Sequence, residues 1–187
     1  MTEKMGTLAL AFTMLSLSTS PHPFILILCY GIHELGHLLF ATLLGAKMKK
    51  IRVGAFHLSL SYDCTQIGYG KELFICLGGI IFNIIATILV LPFSNIIPNV
   101  NFFIACNLSL ALMNLYPVSI LDGGGALKSL LMIITNESRA EKISRGVSVF
   151  AIILMWLVSI YLQLVFSNNI SLLFISILLL VELCFTL

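Results

Sequence analysis

The stretch CYGIHELGHLLFATLLGA, residues 29–46, sets two histidines and a glutamate inside a run otherwise fit for hydrocarbon. His33 and His37 are four residues apart, so on a helix they lie about 40° from one another on one face, and their imidazoles can converge on a single ion. Glu34 stands beside that face. In an H-E-x-x-H pattern the histidines ligate zinc, while the glutamate stays free to take a proton from a water activated by the metal. An ionisable group at bilayer depth costs roughly 2.5–3.5 kcal/mol, so three of them within five residues call for a compensating partner. A bound cation is the simplest partner; a hydrogen-bonded polar cluster without metal is the alternative.

Two histidines leave zinc short of the three protein ligands usual in a catalytic site. Asp122 and Glu182 are the other acids in apolar surroundings. Glu182 falls at the expected cytoplasmic end of the last apolar run, where it can reach water, so Asp122 is the stronger candidate. It lies in NLSLALMNLYPVSILDGGGALKSLL, residues 107–131, where Pro117 removes a backbone donor and the glycines at 123–125 are expected to loosen the chain. A break in the crossing is expected there. Irregular backbone at membrane depth is tolerated only where protein or a water-filled cavity surrounds it. The rival role for Asp122 is to cap the following helix. Counted from the outer end of each crossing at 1.5 Å per residue, His33 and His37 lie roughly 15 and 21 Å deep and Leu115 roughly 20 Å. The two elements can therefore meet, in the cytoplasmic half of the bilayer. Asn107 and Asn114, two helical turns apart, share a face leading to the break, where amides can satisfy freed carbonyls or hold an extended substrate backbone. GGIIFN, residues 78–83, reads as close helix packing by small residues, with direct chemistry at Asn83 as the alternative.

The elements that must position these groups follow from composition. Of 187 residues, 59% are hydrophobic and 10% charged, against about 25% charged in soluble domains. Apolar runs at 5–20, 23–46, 73–93, 102–134 (interrupted), 148–166 and 171–187 are long enough to cross a bilayer core of about 30 Å. The expected fold is an all-α polytopic membrane protein of about six transmembrane helices, one of them broken, forming a single domain over 1–187. The first run resembles a signal peptide, but STSPHP offers no convincing cleavage site, and it is read as a retained crossing. All 10 Lys and Arg residues fall on one side of this arrangement, so both termini and the site's opening are expected to be cytoplasmic. The net charge of +2 is that inner-face bias and argues against nucleic acid as a partner. The five cysteines show no C-x-x-C spacing and read as small hydrophobes. Between the second and third crossings, AFHLSLSY (55–62) alternates with period two, a strand pattern. Such a short membrane-associated β element could pair with an extended substrate segment; the alternative is a surface hairpin without substrate contact. Neither His57 on it nor His22 in the outer PHP turn is expected to be a ligand.

HELGH on one membrane helix and NLYPVSILDGG on a later one resemble the site-2 protease family of intramembrane zinc metalloproteases. The spacing is closest to the sporulation branch, which processes a membrane-tethered sigma-factor precursor, and the resemblance covers roughly residues 20–135. It implies one Zn2+ per chain held by His33, His37 and Asp122, Glu34 as catalytic base, and Asn114 as part of the site. A Gly-Gly-x-x-x-Asn segment like the one ending at Asn83 and a membrane-embedded β element are also common in the family. Where relatives often have a second proline before the aspartate, this chain has Ser119 and Ile120. The 187 residues include neither a PDZ-like domain nor the paired CBS domains of the sporulation branch, so a separate regulatory subunit is an open partner.

The expected function is therefore hydrolysis of a peptide bond in or near a transmembrane segment of a membrane-tethered protein, releasing a regulator to the cytoplasm. Two rivals stand beside it. A catalytically inactive substrate-binding scaffold would have no need of Glu34, and a zinc transporter would need relay ligands on both sides of the membrane.

Overall fold

A computed structural model describes residues 23–53, 58–63 and 67–166. The expected crossings at 5–20 and 171–187, with His22, His57 and Glu182, lie outside them. Helix α1 (Pro23–Leu43) begins at a proline, whose missing N–H would have had no partner in a first turn. It ends at Gly45, which takes φ +78 so that its own N–H and that of Ala46 return to the carbonyls of Thr42 and Ala41. An antiparallel hairpin follows, β1 (Lys47–Val53) with β2 (Leu58–Asp63), interrupted by a register shift between Met48 and Lys50. β2 overlaps the alternating stretch at 58–62, while 54–57 are outside the described residues.

Helix α2 (Tyr69–Val90) runs back beside α1, and the Lys71 ammonium donates to the Leu44 carbonyl where the two ends meet. A 3-10 turn (Leu91–Phe93) and a left-handed Asn99 (φ 64) reverse the chain into α3 (Val100–Leu115). The N-terminal parts of α1 and α3 are in contact: Asn107 donates to the Cys29 sulfur at 3.1 Å. Helix α4 (Asp122–Ile134) and helix α5 (Glu137–Phe166) complete the described chain. Helix α2 is central, packing against α1, α3 and α4, while α5 packs against α4.

The expected crossing at 102–134 is two helices separated at 116–121. Tyr116 is extended (φ −65, ψ 133), as steric conflict with the ring of Pro117 requires, and α3 ends there. The glycines at 123–125 do not loosen the chain: all three lie inside α4, with no positive φ. A Cβ on Gly123 would overlap the Leu115 carbonyl, and one on Gly124 the Val118 carbonyl. Their bareness lets the 115–119 loop fold onto the first turn of α4.

Large apolar side chains face outward, as with Phe24 (81% exposed) and Leu164 (80%), while the helix interfaces hold Gly36, Ala41, Gly78, Gly79, Ala111, Ala126, Ser129, Ser144 and Ser148. That inversion suits helices solvated by lipid, where association depends on small residues and satisfied polar groups. Three described helical segments, Pro23–Leu43, Tyr69–Phe93 and Glu137–Tyr161, are long and apolar enough to cross a membrane; α3 is a shorter apolar helix.

Candidate metal centre

His33 and His37 project from α1 toward the break, where Asp122 opens α4. His33 Nε2 lies 2.9 Å and His37 Nε2 3.1 Å from Asp122 Oδ2, and the two imidazole nitrogens are 3.2 Å apart. Asp122 is the first residue of α4, and its Oδ2 is turned to both histidines. His33 is buried and His37 nearly so, while the Asp122 side chain keeps 24% of its surface. Opening a helix also places the carboxylate where the backbone dipoles favour negative charge.

The helices approach closely enough for this because their crossing is glycine on glycine. A Cβ on Gly36 would overlap the Gly78 carbonyl, and one on Gly79 would lie 2.5 Å from His37 Nε2 and 2.7 Å from His33 Nε2. The GGIIFN segment thus serves packing, as its composition suggests, and also floors the cluster. Asn83, fully buried one turn further along α2, brings its amide to His33 Nδ1 at 3.3 Å.

Whether the cluster fits a metal can be read from its hydrogen bonds. His37 Nδ1 lies 2.8 Å from the Ile75 carbonyl oxygen, which can only accept, so Nδ1 carries the hydrogen. In the neutral ring Nε2 is then a bare lone pair, aimed at a carboxylate oxygen and another imidazole nitrogen. Acceptor atoms this close repel unless a cation lies among them. A proton can join two of the three; a metal ion joins all three. A tetrahedral zinc with bonds of about 2.0–2.1 Å separates neighbouring ligands by about 3.3 Å. The observed 2.9–3.2 Å is within a few tenths of an ångström of that face. Among the described residues, His33, His37 and Asp122 form one group that could hold a metal ion. Three protein ligands leave a fourth position open for water or substrate.

Glu34 is half-buried on α1, with the Tyr30 phenol, both histidines and Asp122 as its electrostatic neighbours. Asn114 and Asn107 are not part of the cluster. Asn114 donates to the Leu110 carbonyl of its own helix, and Asn107 to Cys29 and to the Phe103 carbonyl. Sequence reasoning passed over two groups behind the cluster: the Ile75 carbonyl and a clasp on the loop before Asp122. In that clasp the Ser148 hydroxyl of α5 accepts from the Ser119 N–H at 3.0 Å and lies 2.6 Å from the Ser119 hydroxyl. The Tyr116 hydroxyl donates to the Ala151 carbonyl at 2.8 Å. Val118 packs beneath, against Ala151 and Ile152.

The profile of peptidase family M50 matches residues 91–158, a stretch that contains Asp122 but neither histidine. No curated protein sequence matches the chain. Among solved structures, the site-2 protease from Methanocaldococcus jannaschii superposes with a TM-score of 0.68 at 23% identity, over 95% of this chain and 84% of that one. The two share a fold.

Proposed function

We propose that this chain is an intramembrane zinc metalloprotease that hydrolyses a peptide bond in or near a transmembrane segment of a membrane-tethered protein. One observation carries the reading: three donor atoms from two separated helices converge beside the carboxylate-bearing residue Glu34, in helices fit for a bilayer. The M50 profile and the site-2 protease fold support it independently.

In this reading His33, His37 and Asp122 hold one zinc ion per chain. When bound, zinc supplies the Lewis acidity that activates water and stabilises charge developing on the scissile carbonyl oxygen. Glu34 accepts a proton from the attacking water and delivers it to the leaving amine nitrogen. The close-packed α1–α2 crossing limits water to the open side of the cluster. The β1–β2 hairpin is the element suited to draw a substrate segment into extended form by β-augmentation. Asn114, next to the break, is available to an entering backbone, and Asn107 ties α3 to α1. The substrate class is a membrane-tethered regulator, released on the cytoplasmic side.

The test separates enzyme from binder. Purified protein should carry about one zinc per chain. Alanine at His33, His37 or Asp122 should remove zinc and cleavage together, whereas Glu34→Gln should keep zinc and lower cleavage of a membrane-tethered substrate by roughly 10²–10⁴. A zinc-free parent under metal-replete conditions defeats the reading at its first step; Glu34→Gln cleaving like the parent defeats the mechanism.

A further inference from the structure

Asn83 is fully buried, and its Oδ1 atom has no hydrogen-bond partner, while its Nδ2 atom faces His33 Nδ1 at 3.3 Å. With Nδ2 toward the ring, the amide would donate to Nδ1 and leave the His33 hydrogen on Nε2, the atom 2.9 Å from Asp122 and 3.2 Å from His37. That is the wrong nitrogen for a ligand. The two ends of a carboxamide are nearly identical in shape, and their assignment follows from the hydrogen bonds they make. Turning the amide by half a rotation brings the partnerless oxygen to Nδ1, where it accepts the Nδ1 hydrogen, and leaves Nε2 a bare lone pair. His33 then matches His37, whose Nδ1 already donates to the Ile75 carbonyl at 2.8 Å.

We propose that Asn83 is a positioning residue that accepts the Nδ1 hydrogen of His33 and so points its Nε2 lone pair at the ion. The inference rests on the metal-centre reading above. It adds that the two ligand histidines are held in the same tautomer by different means, one by a main-chain carbonyl that no substitution removes, the other by a side chain that can be changed. Hydrogen bonds to the far nitrogen of a ligand histidine fix its ring orientation and basicity, and losing one typically lowers metal affinity 10- to 100-fold. A packing role alone would ask only for volume at this position, not for an oxygen.

The experiment uses the full chain in detergent micelles, with zinc affinity measured by competition against a chromophoric chelator. Asn83→Leu keeps the number and branching of the side-chain heavy atoms and removes the acceptor; Asn83→Asp keeps an acceptor in the same place. The Leu variant should bind zinc about 10- to 100-fold more weakly, and the Asp variant within a few-fold of the parent. Ring ¹⁵N shifts in histidine-labelled protein, without metal, should show His33 Nδ1 carrying a hydrogen in the parent, whether or not Nε2 shares the proton of the cluster, and carrying it only in part in Asn83→Leu. Equal zinc affinity in Asn83→Leu and the parent, or equal losses in the Leu and Asp variants, would overturn the proposal. So would a parent spectrum with the His33 hydrogen on Nε2 and none on Nδ1. The nitrogen shifts need no zinc, so a parent that binds none defeats the metal centre while leaving the role of Asn83 to be decided by its own spectrum.

Discussion

Gly79 of α2 and His37 of α1 are in such close contact that a single added methyl on the glycine would lie 2.5 Å from the imidazole Nε2. The same methyl would lie 2.6 Å from His33 Cε1. A residue with no functional group therefore limits where both candidate ligands can stand.

Gly79→Ala is expected to displace both rings, lowering zinc affinity by at least about 10-fold, on the scale of losing a supporting contact. Overpacking should also destabilise the helix crossing by about 1–3 kcal/mol. Chelator competition and thermal unfolding in detergent measure the two effects. A Gly79→Ala protein with parental zinc affinity would show that the rings are not confined by α2.

The serine clasp predicts a smaller effect at a distance. Ser148→Ala removes the acceptor for the Ser119 N–H and the partner of the Ser119 hydroxyl, so unfolding stability should fall by about 1 kcal/mol. Asp122 begins its helix three residues after Ser119, and looser placement of its carboxylate should weaken zinc binding a few-fold. Ser148→Thr, which keeps the hydroxyl, should lose less. Parental stability and affinity in Ser148→Ala would assign the loop's placement to Tyr116, Pro117 and Val118.

Orientation is a third expectation. All 10 Lys and Arg residues fall on one side of the expected crossings, and short positively charged loops stay in the cytoplasm. A reporter fusion after Lys50 should read as cytoplasmic and one after Asn99, directly before α3, as external. An external reading at Lys50 would overturn both the topology and the cytoplasmic opening of the site.

The convergence of His33, His37 and Asp122 is legible in the sequence because polar groups in apolar runs are few and must find one another. The break is legible because Pro117 dictates the backbone before it. Why three glycines follow Asp122 is not legible: flexibility and close approach favour the same residue, and only the Leu115 and Val118 carbonyls lying over α4 decide between them. The Ile75 carbonyl is invisible for a simpler reason, since every residue has one. Asn107 and Asn114 share a face by spacing, yet α1 meets that face at Asn107, through Cys29, and Asn114 turns back to its own helix. The membrane depth and substrate contacts of the hairpin are not resolved by period-two alternation, which is common to every half-covered strand.

The two sides of the cluster are far apart along the chain: 89 residues separate His33 from Asp122, and 85 separate His37 from it. An ion held by all three is therefore a cross-link as much as a reagent. It ties the first described helix to the second half of the chain across a long loop, whose closure entropy grows slowly with length and is large at this span. Because ligands this distant meet only in the folded bundle, free energy gained in holding the ion is also free energy of assembly. Demetallation would then release more than catalysis: the α4 terminus bearing Asp122 would be held against α1 by helix packing and by a proton shared between two of the three ligand atoms.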